Sequence, residues 1–226
     1  FDDRAKLYLQ MTRIVKDKQP KIFILENVKG LLTLKNGTIF KSVINAFEET
    51  GYKTFYSLLC AADYGVPQKR ERVIVVGIRN DIYKEKGDFV FPEKPNKNNW
   101  IPLSVAVPKL AIEEKKYYFS ERAVQGMKNA KNNMKRGLAQ NLNEPCLTVT
   151  SHLAKVSLNS RDPVLLVDPE KELYRRFTPR EAARIQSFPD TFEFVGSEAT
   201  AYKQIGNAIP PVMFWYIMNA VEKYLG

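Results

Sequence analysis

Three groups of residues in this 226-residue chain carry side chains suited to chemistry. Glu26, followed by Asn27 and Val28, closes a short apolar run, Lys21–Leu25. A carboxyl at the C-terminal end of a buried strand stands where open α/β sheets place their active sites. Gln68-Lys69-Arg70-Glu71-Arg72 opens another apolar run, and a guanidinium keeps its charge and its planar donor fork when partly buried. Gly206-Asn207-Ala208-Ile209-Pro210-Pro211 leads into the last helix, where a helix start offers free N–H groups to a carboxylate. Taken singly, each group has a plain structural reading. Glu26 could cap a turn, the arginines could form an exposed basic turn, and Gly206-Asn207 could be a helix entry with no ligand.

The elements that must position these residues alternate at first. Residues 4–18 carry Leu7, Met11, Ile14 and Val15 at helical spacing, and Gln19-Pro20 closes that helix. Lys21–Leu25 is a continuous apolar run, expected of a strand buried on both faces of a mostly parallel sheet. Residues 38–50 read as a second helix facing inward with Ile39, Val43, Ile44 and Phe47, and Gly51 stops it. Residues 52–60 and 72–78 read as further strands joined by the turn-rich Asp63–Gln68. Only two later strands exist to flank Lys21–Leu25. An exposed apolar edge promotes aggregation, so something is expected to cover it.

From about residue 88 the alternation stops. Between Lys109 and Arg136 lie eight basic residues (Lys109, Lys115, Lys116, Arg122, Lys128, Lys131, Lys135, Arg136) against Glu113, Glu114 and Glu121, with Tyr117, Tyr118 and Phe119 among them. This reads as a small irregular second domain. Helical pattern returns at Pro179, behind Thr178 as N-cap. A last helix from Pro211 to Tyr224 faces inward with Met213, Phe214, Ile217, Val221 and Tyr224. The expected boundaries are 1–88, 89–175 and 176–226.

Composition narrows the function classes. At 44% hydrophobic residues the chain can bury a core. A net charge of +10 suits a polyanionic partner. Cys60 and Cys146 form no disulfide or zinc pattern, which fits a reducing compartment, and no metal site is expected around the single histidine, His152. No apolar run approaches the length of a membrane span.

In their order and spacing, Glu26-Asn27-Val28, Gln68–Arg72, Thr178–Asp190 (TPREAARIQSFPD) and Gly206-Asn207-Ala208 resemble the later motifs of the DNA (cytosine-5)-methyltransferases. The resemblance implies an α/β fold: the C-terminal half of a Rossmann-like S-adenosylmethionine-dependent methyltransferase sheet, plus a small irregular target-recognition domain at 89–175. It implies duplex DNA as substrate, with one cytosine rotated out of the stack. A cysteine thiolate adds to C6, the methyl group goes onto C5, and elimination restores the ring. Addition builds negative charge on the ring, so it needs an acid at N3 and a cation near O2. By resemblance Glu26 is that acid, Arg72 that cation, and Arg70 supports the site and nearby phosphates. Asn27 and Gln68 brace the surrounding loops against substrate, and Asn207 with the Ala208 backbone contacts the amino acid end of S-adenosylmethionine. The Thr178–Asp190 motif looks structural, organised by Arg180 and Arg184.

The family's glycine-bearing cofactor loop and Pro-Cys nucleophile loop would precede position 1. Pro145-Cys146 falls after Glu26 rather than before it, so Cys146 reads as a core residue flanking the recognition region, and Cys60 as core too. Ser160, Arg161 and Asp162 are candidate base readers. The expected setting is cytoplasmic and DNA-associated, in a bacterial restriction–modification or phage system. The expected partner, besides duplex DNA, is an N-terminal methyltransferase half or companion chain. The alternative is a non-catalytic DNA-binding or assembly subunit of a split methyltransferase.

Overall fold

The structure, a computed structural model, describes residues 7–129, 139–155 and 163–226. Its elements begin with α1 (Leu7–Lys18), β1 (Ile22–Val28), α2 (Thr38–Glu48), β2 (Tyr52–Cys60), β3 (Gln68–Lys69), β4 (Glu71–Arg79) and α3 (Asn80–Lys86). They continue with α4 (Glu121–Asn129), β5 (Cys146–Leu147), β6 (Leu165–Asp168), β7 (Leu173–Arg175), α5 (Pro179–Ile185), α6 (Glu198–Asn207) and α7 (Pro211–Glu222). The chain divides into two compact units. The first takes in the described residues up to Cys60, Glu71–Glu93 and Trp215–Gly226; the second takes in Ala61–Arg70 and the described part of Lys94–Phe214.

The first unit is a three-stranded sheet of order β1-β4-β2 carrying α1 and α2. Both neighbours of β4 pair with it antiparallel. The two strands joined through α2 therefore run the same way, with β4 reversed between them. The mostly parallel pairing expected from the sequence is not what these strands make. A continuous apolar run reports burial of both faces and carries no signal of direction. Burial follows position: Val73–Val76 and Ile78 of central β4 are 0–1% exposed, whereas β1 is only partly buried. Among the described residues β1 has a neighbour on one side only.

The helices differ in detail from their sequence reading. In α1, Thr12 and Val15 face inward, and Leu7, Met11 and Ile14 are exposed. The helix is apolar on two sides, and within this unit the sheet covers one of them. In α2 the buried stripe is Phe40, Val43 and Phe47, with Ile44 packed beside it. Gly51, at φ 96°, ends the following turn as expected.

Gly77 of β4 stands opposite Phe23 of β1. A Cβ at this position would lie 2.0 Å from the Phe23 ring. Phe47 and Tyr52 hold that ring at centroid distances of 4.5 and 5.2 Å, so it has no free space to swing into. Gly77→Val is expected to destabilise the chain by about 1–3 kcal/mol through overpacking. Urea denaturation checks this, and an unchanged midpoint would contradict it.

The second unit has little regular sheet. β3 and β5 form a two-residue parallel pair, and β6 and β7 an antiparallel pair with an irregularity between Leu166 and Asp168. Its core gathers Leu103, Val149, Leu153, Phe177, Ile185 and Ile205. Residues 176–214 thus pack with the irregular segment, and of the returning residues those from Trp215 onward belong to the first unit.

The polar centre of this unit is Arg175, fully buried at the end of β7. Its guanidinium makes a bidentate pair with Glu181, at 2.8 and 2.7 Å, and donates to the carbonyls of Lys109, Leu110 and Arg176. Glu181 also closes the capping box of α5: its backbone N–H donates to the Thr178 hydroxyl, and its carboxylate accepts from the Thr178 N–H. The sequence reading gave the organising role to Arg180 and Arg184. Arg184 instead pairs with Asp190 at the surface, and Arg180 makes one long bond, 3.4 Å, to the Pro189 carbonyl.

Candidate active site

Strand register decides how Glu26 and Arg72 meet. Glu26 pairs with Ile74 across β1 and β4, so Arg72, two residues further along β4, lies diagonally on the same face. Their side chains close an ion pair of 2.7 Å between Arg72 Nε and Glu26 Oε1, with the two side chains 13% and 20% exposed. Arg72 is steadied by an Nη1 bond to the Glu71 carbonyl. Burial pulls its guanidinium below the ordinary arginine value and the Glu26 carboxylate opposes that shift. The result is one carboxyl and one cation, oriented on each other, partly shielded and still reachable. Asn27, still within β1, bonds locally: its Oδ1 accepts from the Val28 N–H at 2.8 Å, next to Glu26.

Arg70 behaves differently from Arg72. It is 2% exposed, and its Nη1 and Nη2 donate to the carbonyls of Val149 and Gly206, each at 3.1 Å. This guanidinium is committed inside the second unit, so the role near phosphates expected of it does not fit its position. Gln68 is fully buried; its Oε1 accepts from the Val149 N–H, and its Nε2 donates to the Gln186 side chain and the Ile185 carbonyl. It ties its loop into the second core and has no surface for substrate.

Asn207 ends α6 with an exposed side chain. Of the Ala208 backbone, expected to contact the cofactor, the N–H is bonded to the carbonyls of Gln204 and Ile205. The start of α7 offers little more, since Pro210 and Pro211 lack N–H groups and the Val212 N–H donates to the Ser187 hydroxyl. The group of this turn that fits the amino acid end of a cofactor is therefore the Asn207 carboxamide, which both donates and accepts.

Cys146 is fully buried in the second core, and burial drives its thiol far above the ordinary value. The neutral thiol is a poor nucleophile. In the folded chain Cys146 is expected to resist iodoacetamide at about pH 8, where an ordinary thiol is partly ionised. Mass spectrometry of the alkylated chain checks this; rapid modification would contradict it. Cys60 is half-buried at the end of β2 rather than in the core.

In the basic segment Lys116 pairs with Glu198, and Lys128 with Glu172, while Lys109, Lys115 and Arg122 are exposed. His152 is exposed beside Ser151. Ser160, Arg161 and Asp162 lie outside the described residues. Sequence reasoning missed Arg175, Glu181 and Gln186. A capping-box pattern, Thr178-Pro179-Arg180-Glu181, could have flagged Glu181. No local signal marks the other two.

Comparison with known proteins agrees with the fold and the motif order. The sequence model of the C-5 cytosine-specific DNA methylases matches residues 1–223, and the chain belongs to that family. Type II methyltransferase M.FnuDI of Fusobacterium nucleatum is 34% identical over 254 residues, covering 99% of this chain and 71% of that protein. Type II methyltransferase M1.ScrFI of Lactococcus lactis subsp. cremoris is 36% identical over 215 residues, covering 92% of this chain and 54% of that protein. The chain thus spans between about half and seven-tenths of the length of these relatives. The Dnmt2 methyltransferase of S. pombe shares the fold, with a TM-score of 0.74 at 16% identity over 98% of this chain and 74% of that one. An E. coli prophage protein described as a DNA modification methyltransferase gives 0.71 at 21% identity, over 99% of this chain and 75% of that one. The α/β architecture is that of a partial methyltransferase fold. Among the described residues no helix is long and apolar enough to cross a membrane.

Proposed function

We propose that this chain is the Glu26-bearing part of a DNA cytosine-5 methyltransferase that acts on a cytosine flipped out of duplex DNA. The observation that carries this reading is the Glu26–Arg72 pair, a carboxyl and a guanidinium set on one face at the end of β1. When a thiolate adds to C6 of the ring, negative charge builds toward N3 and O2. Glu26, in its acid form, donates a proton at N3, and Arg72 lies ready for O2. Arg72 on Oε1 fixes the carboxyl so that Oε2 faces the base. S-adenosylmethionine, when bound, supplies the methyl group, and Asn207 holds its amino acid end. The irregular part of the second unit, with its exposed Lys109, Lys115 and Arg122, meets the DNA. A type II restriction–modification or phage setting follows from the kind of relatives the chain matches.

The nucleophile comes from outside the chain's own cysteines, since Cys146 is sealed in the core and held neutral. The partner that brings it is the N-terminal methyltransferase half, with most of the cofactor site. Two features of the first unit support such a partner: the one-sided edge of β1, and the exposed Leu7, Met11 and Ile14 along α1. The test is nucleoside analysis of DNA treated with S-adenosylmethionine and this chain joined to that half. The expected product is 5-methylcytosine. Methylation at N4 of cytosine or N6 of adenine would overturn the proposal.

A further inference from the structure

A buried amide relay in the second unit ties the Val149–Ser151 segment, just after β5, to the turn that carries Asn207. The Val149 N–H donates to Gln68 Oε1 at 2.8 Å, and Gln68 Nε2 donates to Gln186 Oε1 at 2.8 Å. Gln186 Nε2 then donates to the Ile205 carbonyl at 2.7 Å and the Ala208 carbonyl at 3.3 Å. Arg70 makes a second link between the same ends, from the Val149 carbonyl to the Gly206 carbonyl. Gln68 and Gln186 are both 0% exposed. Side-chain amides are costly to bury unless every group is paired, and here, apart from the Gln68 Nε2 bond to the Ile185 carbonyl, the pairs run between the same two backbone segments.

The two segments also touch directly. A Cβ on Gly206 would lie 2.3 Å from the Thr150 carbonyl carbon and from the Ser151 nitrogen. Backbone therefore lies on backbone, and neither segment can shift without the other. One of them leads through half-buried Ser151 to the exposed His152; the other ends in Asn207 and Ala208.

We infer that Gln186 is a positioning residue that holds the Asn207–Ala208 turn to the Val149–Ser151 segment, so that engagement of DNA at Thr150–His152 and binding of S-adenosylmethionine at Asn207 are coupled. The inference rests on the proposed cofactor role of that turn. Coupling of this kind is reciprocal: whatever factor duplex adds to cofactor affinity, cofactor adds to duplex affinity. Gln186→Glu keeps the acceptor for Gln68 and loses both donations to the turn, setting a carboxylate against two carbonyls.

The experiment measures the Kd of S-adenosylmethionine, with and without duplex, for the completed enzyme and for its Gln186→Glu variant. The expected result is cofactor binding in Gln186→Glu weakened about tenfold, the scale of two lost hydrogen bonds, with the duplex-dependent change in affinity lost. A merely structural role would lower Tm and leave that ratio unchanged in the folded fraction; a folded variant with wild-type Kd values overturns the inference. Hydrogen exchange on the unaltered enzyme gives a second measurement that needs no variant. Duplex alone should slow exchange of the Ala208 amide, and no change there also overturns the inference. A wild-type enzyme that binds no S-adenosylmethionine would instead overturn the function proposed for the site, and the inference with it.

Discussion

Replacing Glu26 by Gln in the completed enzyme is expected to lower methyl transfer by about 10²–10⁴-fold, the range for losing a positioned general acid, while duplex binding holds. The amide can still meet Arg72 and can hydrogen-bond to a base, but it has no proton of suitable acidity to give to N3. The loss should therefore appear in kcat rather than in DNA affinity. Single-turnover methylation with a filter-binding control separates the two. Unchanged turnover would remove Glu26 from the acid role. An equal loss of DNA binding would mean that Glu26 shapes the site instead of acting in it. Arg72 stands 2.7 Å from that carboxyl, so its contribution cannot be partitioned from Glu26 by single substitutions.

Glu181→Ala is expected to have the largest effect on stability, a loss of about 3–5 kcal/mol. The reason is what stays behind. Arg175 is fully buried, and the carbonyls of Lys109, Leu110 and Arg176 cannot neutralise its charge. The same substitution removes the half of the α5 capping box in which the Glu181 carboxylate accepts from the Thr178 N–H, while the backbone N–H of residue 181 still donates to the Thr178 hydroxyl. Replacing both partners, Arg175→Met with Glu181→Leu, should recover much of the loss, because a buried ion pair exchanged for apolar groups of similar volume is often neutral. Guanidinium denaturation of the two variants against the unaltered chain checks this. A Glu181→Ala loss below about 1 kcal/mol would place the pair among ordinary surface bridges.

Much of the candidate site was legible because its residues sit where chain pattern changes. Glu26 follows an apolar run and Arg72 begins one; β1 runs on to Val28, so Glu26 lies inside the strand, while Arg72 stands near the start of β4. Arg70 was misread for a reason that lies in the backbone. Two residues apart in one strand, Arg70 and Arg72 would share a face. The strand is broken between Lys69 and Glu71, and the Arg70 N–H turns back to the Gln68 carbonyl. That break sends Arg70 inward. Gly206-Asn207-Ala208 reads as a helix entry, yet it also closes α6, and the closing bonds take the Ala208 N–H first.

The fold shows the same division. Helix and strand positions followed apolar spacing, and β2 fell on residues 52–60 as read. Strand direction left no trace in composition, so the reversed β4 was invisible. Arg175 was hidden because a Tyr174-Arg175-Arg176 stretch looks like a solvated basic face; only tertiary contact with Glu181 shows which arginine is inside. The helical spacing of Leu7, Met11 and Ile14 falls on the exposed side of α1, since spacing shows that a face is apolar and says nothing of what covers it.

The measurement that tests the central claim most directly is transfer of labelled methyl from S-adenosylmethionine to duplex DNA, first with this chain alone and then with the N-terminal methyltransferase half added. The account predicts incorporation only in the mixture, with the nucleophile supplied in trans and Glu26 in this chain acting as acid. Incorporation by the chain alone would contradict the placement of the nucleophile. No incorporation in the mixture, with duplex still bound, would contradict the catalytic role and leave a DNA-binding subunit.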